Sequence, residues 1–496
     1  MSLAKHIFKV GAWTGVSRVL GFVRDLLIAS TIGAGRLSDI FLTAFRLPNM
    51  VRDLLGEGAL SLAFVPMFSE HKNRKVIGPY FASNVFSWLM LLLLCITIVA
   101  TIFMPVIIWA IAPGFASDPG KMELTITASR ILFVYVILVC GSGFMASILN
   151  AFSEFAIAAM MPALLNVFII GALILAMHLG VDENTLYLLS AAVIFSGIVQ
   201  FFILWRRLRA RKFGLRLIRP RVTPHVKTMM RRIGIGFVGS GFYQLNILVG
   251  SLIASFQTGA VTWLYFADRM VQLPFAIIGL AAGTVLLTTI SDALCAKNFD
   301  KIYHQQNQTL RSTMMLTMPC VAGLIALAFP IIHLIFERGA WTPESTIMVA
   351  IAMSIQALAL PAMTTSQVFS RTLFAAQDMK TPIRINVITI IIDIIIMLAL
   401  VKWIGFLVVP IVTVFGGWLR NTWYRIECRR RGLYKTLPGT NRALFVFGAL
   451  AAVMGGGLWL ANAAGLITGI FTLGIAIAAG GAVYLPVAWI ANKKIK

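Results

Sequence analysis

Acidic residues are scarce in this chain. Its 496 residues include 18 Asp and Glu against 42 Lys and Arg, and charged residues of all kinds make up 12%. That is about half the share of a soluble domain, and no polar stretch is long enough to hold one. A soluble enzyme and a disordered chain are excluded. The net charge of +24 would suggest nucleic acid in a soluble protein, but here the basic residues sit mostly in short segments between apolar runs. The five cysteines (Cys95, Cys140, Cys295, Cys320, Cys428) lie in or beside apolar runs with no pairing or metal spacing, so they are read as free thiols that only pack. Six scattered histidines show no ligand spacing. There is no nucleotide-binding loop and no pair of acids that looks catalytic, so no metal and no enzyme activity is expected. Gly455-Gly456-Gly457 suits close helix packing. The first apolar stretch runs on through Arg18 and Arg24 without a small-residue cleavage site, which argues against a cleaved signal peptide.

What the chain has is apolar length. Hydrophobic residues make up 59%, and the mean hydropathy is +0.89. A spanning helix needs ~20 apolar residues. Fourteen such segments are present, at 8–32, 37–67, 79–112, 124–150, 155–179, 184–206, 229–257, 260–295, 309–336, 346–375, 383–402, 404–424, 442–462 and 466–491. The fold class is therefore all-α polytopic membrane protein with fourteen transmembrane helices. Alternate loops differ in charge. One side carries Lys5 and Lys9; Lys72, Arg74 and Lys75; the run Arg206 to Arg232; Lys297 and Lys301; Lys380 and Arg384; the run Arg425 to Arg442; and Lys493, Lys494 and Lys496. The other has only Arg36, Lys121, Arg338 and Lys402. Cytoplasmic loops collect Lys and Arg, so both termini are placed in the cytoplasm. The run Arg206 to Arg221 alternates basic and apolar residues. It reads as a topology anchor, with contact to anionic headgroups as the alternative.

An internal repeat is visible. Gly33-Ala34 stands 14 residues before Leu47-Pro48, and Gly259-Ala260 stands at the same spacing before Leu273-Pro274. Pro162, Asn166, Val167, Ile169/Ile170 and Met177 match Pro382, Asn386, Val387, Ile390 and Met397. The offsets, 226 and 220 residues, join segment 2 to segment 8 and segment 5 to segment 11. Six spans is an even number, so both halves have the same orientation. The expectation is two pseudo-symmetric six-helix bundles, 1–222 and 223–438, with a cavity between them. Two additional helices, 439–496, fall outside the repeat.

Most spans are bland, but segments 1, 2 and 8 are charged. Segment 1 carries Ser17, Arg18, Arg24 and Asp25. Segment 2 carries Asp39, Arg46, Asn49, Arg52, Asp53 and Glu57, and segment 8 carries Asp268, Arg269 and Gln272. A charge at a helix centre costs ~2.5–3.5 kcal/mol, so four buried arginines cost on the order of 10 kcal/mol unless they face water or partners. Seven-residue spacing puts Arg18 with Asp25, and Asp39 with Arg46 and Asp53, on shared faces. Pro48 is expected to kink segment 2. Structural ion pairs or snorkelling suit Arg36 and Arg46 better than a binding role. For Arg18, Arg24, Arg52 and Arg269 the binding role weighs more, because arginine can hold a phosphate with two parallel hydrogen bonds. An anionic substrate, best a phosphate, follows. Asn386 and Asp393 share a face of segment 11. They form a candidate cation site, against the plainer reading of a satisfied buried carboxyl.

These motifs resemble the MurJ (MviN) family of lipid II flippases, in the multidrug/oligosaccharidyl-lipid/polysaccharide exporter superfamily. The resemblance rests on SRVLGFVRD (17–25), Asp39, LPN (47–49) with Arg52, EGA (57–59), AFVP (63–66), ADR (267–269) and DMKTP (378–382), and it covers essentially the whole chain. It implies fourteen spans with both termini cytoplasmic. It also implies alternating-access export, across a bacterial inner membrane, of the undecaprenyl-diphosphate-linked peptidoglycan precursor for cell-wall synthesis. Arg18, Arg24, Arg52 and Arg269 would be the cavity arginines, with Asp39 a further functional position. Ser17, Asp25, Glu57 and Asp268 complete the expected substrate-binding set. Partners would be lipid II, the phospholipid bilayer and cell-wall synthesis proteins, with no nucleic acid. Some members look like sodium-coupled carriers with a carboxylate in segment 7. Segment 7 here has no Asp or Glu, so that sodium site is not expected here; no cofactor is expected, the membrane potential is the expected driving force, and the coupling ion stays open. The last two helices are expected to form an apolar groove for the polyprenyl tail, against the simpler role of packing. An exporter of another lipid-linked oligosaccharide or of drugs is the nearest rival, although an arginine-rich cavity repels cationic drugs. A membrane glycosyltransferase would need a metal or acid/base constellation that the sequence does not show.

Overall fold

A computed structural model describes residues 3–54, 59–71 and 77–495. Glu57 and Lys72, Arg74 and Lys75 lie outside the described residues. The described residues are helical, with no strands among them. They form two compact units. Unit 1 is Met1–Val261 with Arg338–Trp341; unit 2 is Thr262–Glu337 and Thr342–Lys496.

Unit 1 contains α1 (Leu3–Ile32), α2 (Arg36–Val51), α3 (Ala59–His71), α4 (Ile77–Ile102), α5 (Met104–Ile111), α6 (Pro119–Phe133), α7 (Tyr135–Ala151), α8 (Phe155–Leu179), α9 (Asn184–Ala210) and α10 (Pro224–Ala254). From Thr262, inside the next helix, the chain passes into unit 2. There it forms α11 (Ala260–Pro274), α12 (Leu280–Cys295), α13 (Phe299–Ala326), α14 (Ala328–Phe336), α15 (Pro343–Ala357), α16 (Leu360–Ala375), α17 (Lys380–Ile404), α18 (Val408–Arg430), α19 (Thr440–Ala463) and α20 (Ile470–Lys494). Each apolar segment of the sequence falls on one of these helices or on two in succession. By length and composition, 10 stretches among the described residues are able to cross a membrane, and one of them, Lys380–Arg430, holds both α17 and α18.

The helices begin where capping chemistry allows. Asp118, Thr223, Asn298 and Thr342 accept the amides of Lys121, Val226, Lys301 and Ser345, which satisfies donors that a helix start leaves open. In α6, α10 and α15 proline follows the cap at a position that needs no amide. Unit 1 is centred on aromatic rings: Phe64 packs on Phe144 at 4.6 Å, and Phe68 on Phe152 and Phe213 at 5.9 and 5.7 Å. In unit 2, Leu286, Ile290, Val368, Phe369, Tyr424 and Cys428 share one core. Helices α19 and α20 pack on α13 through Met314, Ala443, Phe447, Ala451, Tyr484 and Ala488. Small residues let helix backbones approach in lipid. Helix α10 packs with α3 and α5 in unit 1, and α19 and α20 pack with α13 in unit 2. All five cysteines are free thiols.

The basic run after α9 is ordered by α4. Ser83, Asn84 and Ser87 accept the amides of Arg216, Arg221 and Ile218 at 3.1, 2.8 and 2.9 Å, and Asn84 Nδ2 donates to the Arg221 carbonyl at 2.8 Å. These bonds fix an extended segment that a loop of like charges would not hold by itself.

The repeat markers recur in the backbone. Gly33 (φ 66°), just after α1, and Gly259 (φ 89°), just before α11, stand in the left-handed region, which glycine enters without strain. Pro48 and Pro274 lie at the ends of α2 and α11, each followed by a π-helical turn, at 52–54 and Phe275–Gly279. A proline removes one ladder donor, and π-bulges often mark functional sites. Ser153 and Gln377 both have positive φ (64° and 59°). Each is followed by an acid that reaches an arginine 53 residues on: Glu154 to Arg207, at 2.7 and 2.9 Å, and Asp378 to Arg431.

These loop carboxyls set a pH dependence. Burial works to raise the Glu154 carboxyl, but hydrogen bonds from Arg207 and Arg211 outweigh it and hold it below its ordinary value of 4.5. Burial also opposes ionisation of Asp378, and bonds from Thr381 and Arg431 hold it below 3.8. A lowered carboxyl stabilises the fold above its ordinary value, and that contribution is lost as the pH falls through the folded value. The double variant Glu154→Gln/Asp378→Asn should therefore melt about 2–4 °C below wild type at neutral pH. Its Tm should fall less than wild type's when the detergent-solubilised protein is acidified. Parallel Tm curves would contradict this.

Candidate substrate-binding site

The candidate residues of unit 1 lie on α1, on α2 and in the π turn that follows α2. Arg24 is 7% exposed and Asp25 1%. Arg24 Nε and Nη2 donate to Asp25 Oδ1 at 3.1 and 2.7 Å, and Nη1 donates to Asn166 Oδ1 of α8 at 3.1 Å. Asn166 Nδ2 in turn donates to the carbonyl of Ser17, also at 3.1 Å. The fork of Arg24 thus meets acceptors on two sides, which no single-point cation matches. Arg18, two turns before Arg24 on α1, is exposed. Asp25, which shares a face with Arg18 by spacing, pairs with its neighbour Arg24. Ser17 enters through its backbone.

In α2 the helix continues through Pro48 as far as Val51. Asn49 Nδ2 donates to the Phe45 carbonyl at 3.0 Å. Arg52 opens the π turn and is partly exposed, with Nη2 3.1 Å from Asp53 Oδ1. Arg36, as its loop position suggested, makes structural ion pairs with Glu183 at 2.7 Å and Asp118 at 3.2 Å.

Asp39 of α2 reaches a lysine of α6. Its side chain is fully buried, and Oδ2 accepts from Lys121 Nζ at 2.9 Å and from the Gly259 amide at 2.7 Å. Lys121 is 3% exposed and sits 4.1 Å over the Phe115 ring. A buried carboxylate needs a partner and further hydrogen bonds to offset desolvation, and Asp39 has both. Lys121 had appeared only as a lone basic residue on the sparsely charged side of the membrane. Its position three residues after the Asp118 cap, on the first turn of α6, was the available signal. Asn166 had appeared only as a repeat marker; a polar residue in an otherwise apolar α8 was the hint to its contact with Arg24.

In unit 2, Asp268 and Arg269 are exposed on α11. Arg269 lies 5.7 Å from the Tyr265 ring centre, and Gln272 Nε2 reaches Asp268 Oδ1 at 3.5 Å. Asn386 Oδ1 accepts from Tyr424 Oη at 2.9 Å. Asp393 lies two turns further along α17, beside Arg420. The structure therefore does not bring Asn386 and Asp393 to one ion, since seven residues of helix rise about 10 Å.

The family sequence model described as "Lipid II flippase MurJ" matches residues 28–477. The chain belongs to the MurJ family. A "Probable lipid II flippase MurJ" of Rhizobium meliloti is 35% identical over 99% of this chain and 94% of its own length. The "Lipid II flippase MurJ" of Burkholderia cenocepacia is 30% identical over 92% of this chain and 89% of its own. Among solved structures, "Lipid II flippase MurJ, inward closed conformation" superposes with a TM-score of 0.82 at 25% identity, covering 97% of this chain and 98% of that one. A MATE-family transporter of the MOP superfamily shares the fold, with a TM-score of 0.69 at 15% identity over 84% and 94% of the two chains. In this MurJ-family chain SRVLGFVRD lies on α1, LPN on α2, AFVP on α3, ADR on α11 and DMKTP at the start of α17.

Proposed function

We propose that the chain moves lipid II from the cytoplasmic to the periplasmic leaflet of a bacterial inner membrane, for cell-wall synthesis. It is a transporter and not an enzyme. The observation that carries this reading is family membership along almost the whole chain, with relatives named as lipid II flippases matching over nearly their full length. The arginines give it chemistry: Arg18, Arg24, Arg52 and Arg269 hold the diphosphate, and charge-assisted bonds to its oxygens are worth ~1.5–3 kcal/mol each. Fourteen spans in two six-helix halves plus two helices, both termini cytoplasmic, complete the reading. The exposed apolar faces of α19 and α20, with Phe445, Val453, Phe471 and Ile475, supply a groove for the tail, since each buried methylene is worth ~0.8 kcal/mol. An outward-moving diphosphate is favoured by ~2.3 kcal/mol per charge per 100 mV of membrane potential, so no cofactor is required.

Two measurements test this. The chain should restore growth to a strain depleted of its lipid II flippase. In a cysteine-free background, a cysteine at Asp182 should label from the periplasm, and cysteines at Arg209 and Lys435 from the cytoplasm. Gly339 makes a poor probe, because its left-handed backbone (φ 61°) presses on the Ser30 carbonyl. Failure to restore growth would refute the function, and periplasmic labelling at Arg209 would refute the orientation.

A further inference from the structure

Among the described residues, Asp393 is the buried acid of unit 2. It is 2% exposed, and its Oδ1 has no hydrogen-bond partner. Oδ2 stands 3.9 Å from Nη2 of Arg420 on α18, well beyond the ~2.7–2.9 Å of a charge-assisted bond. One turn earlier on α17, Thr389 Oγ1 is also buried without a partner, as is Arg420 Nε. Gly416 faces the carboxylate, and a Cβ there would overlap both of its oxygens. The chain thus leaves room for this carboxyl and yet satisfies only half of it. The ionisable groups on the helices packed against α17 are Arg420, Tyr424, Arg425, Glu427, Cys428, Arg429 and Arg430 on α18, with Arg371 on α16. Among the described cationic side chains, Arg420 is the one within 4.0 Å of Asp393.

An ionised carboxylate with a bare oxygen at this depth is costly. A metal cation would not relieve it. Hard cations take about six or more oxygen ligands, and here one carboxylate and one hydroxyl stand beside a guanidinium. A proton needs one oxygen. We propose that Asp393 is a proton-binding site, cycling between a neutral acid and a carboxylate that Arg420 approaches. The proton comes from and returns to water: –COO⁻ plus H⁺ gives –COOH, with no other bond made or broken. Protonated Oδ1–H becomes a donor, and the unpartnered Thr389 Oγ1, one turn earlier, is the acceptor the proposal assigns to it. The proposal rests on the transporter reading only in linking this proton to lipid movement.

Infrared difference spectra of the reconstituted protein, taken between about pH 4 and about pH 9, test the site without any transport. Wild type should show a carboxylic acid C=O band that appears with acid and is missing in Asp393→Asn. In Thr389→Val, which keeps the side-chain shape, the band should move to higher frequency because the acid loses its acceptor. Asparagine mimics the neutral acid, so Asp393→Asn should still move lipid II while losing wild type's pH dependence. Identical spectra for wild type and Asp393→Asn would overturn the proposal and leave the flippase reading untouched. The band without any lipid II movement by wild type would support the proton site and overturn the flippase reading.

Discussion

Alanine at Arg18, Arg24, Arg52 or Arg269 should each abolish rescue of a flippase-depleted strain, with protein levels unchanged. Each side chain removed takes away charge-assisted bonds of ~1.5–3 kcal/mol, and ~1.4 kcal/mol is already tenfold. Lysine separates two ways of holding the diphosphate. It keeps the charge and loses the planar fork. Arg24 uses three of its nitrogens at once, on Asp25 and Asn166, so Arg24→Lys should fail as alanine does. Arg52 stands beside Asp53, and its lysine variant should also be impaired. Asn166→Leu, which leaves the arginine and removes one acceptor, should slow lipid II transfer about tenfold. Growth with all four alanine variants would end the reading of these residues as the phosphate site. Loss with alanine but rescue by lysine everywhere would mean a diffuse positive field without bidentate contact.

Lys121→Ala should cost more stability than any other single change in unit 1. It leaves the fully buried Asp39 without its cation, and breaking one side of a buried pair typically costs ~3–5 kcal/mol. For a unit of this size that corresponds to roughly 6–10 °C in Tm. Asp39→Asn should cost less, because the neutral amide can still accept from the Gly259 amide. The double variant Asp39→Leu/Lys121→Met should recover much of the loss, since an apolar pair of similar volume removes both charges together. Thermal melts with size-exclusion profiles check all three. A Lys121→Ala protein as stable as wild type would show that the pair contributes nothing.

The positions of helices were legible because a membrane leaves few alternatives: apolar length, glycine at positive φ and proline at helix starts punctuate the chain. The repeat was legible for the same reason, since Gly33 and Gly259 each make a turn that other residues resist. Partners across helices were not legible. Spacing along α1 paired Arg18 with Asp25, but the closer neighbour Arg24 takes that acid. Spacing along α2 grouped Asp39 with Arg46, but Asp39 turns to a lysine 82 residues away. Periodicity reports the face of one helix, whereas an ion pair depends on which other helix meets that face.

The central claim is that this chain carries a diphosphate-linked lipid through a site built on arginine. Its most direct measurement uses purified protein in liposomes holding fluorescent lipid II, or a lipid with the same tail and a neutral, phosphate-free head. The account predicts that wild type moves lipid II across the bilayer, leaves the neutral lipid where it is, and loses the activity in Arg24→Lys. Transfer of both lipids at equal rates, or none of lipid II, would contradict it.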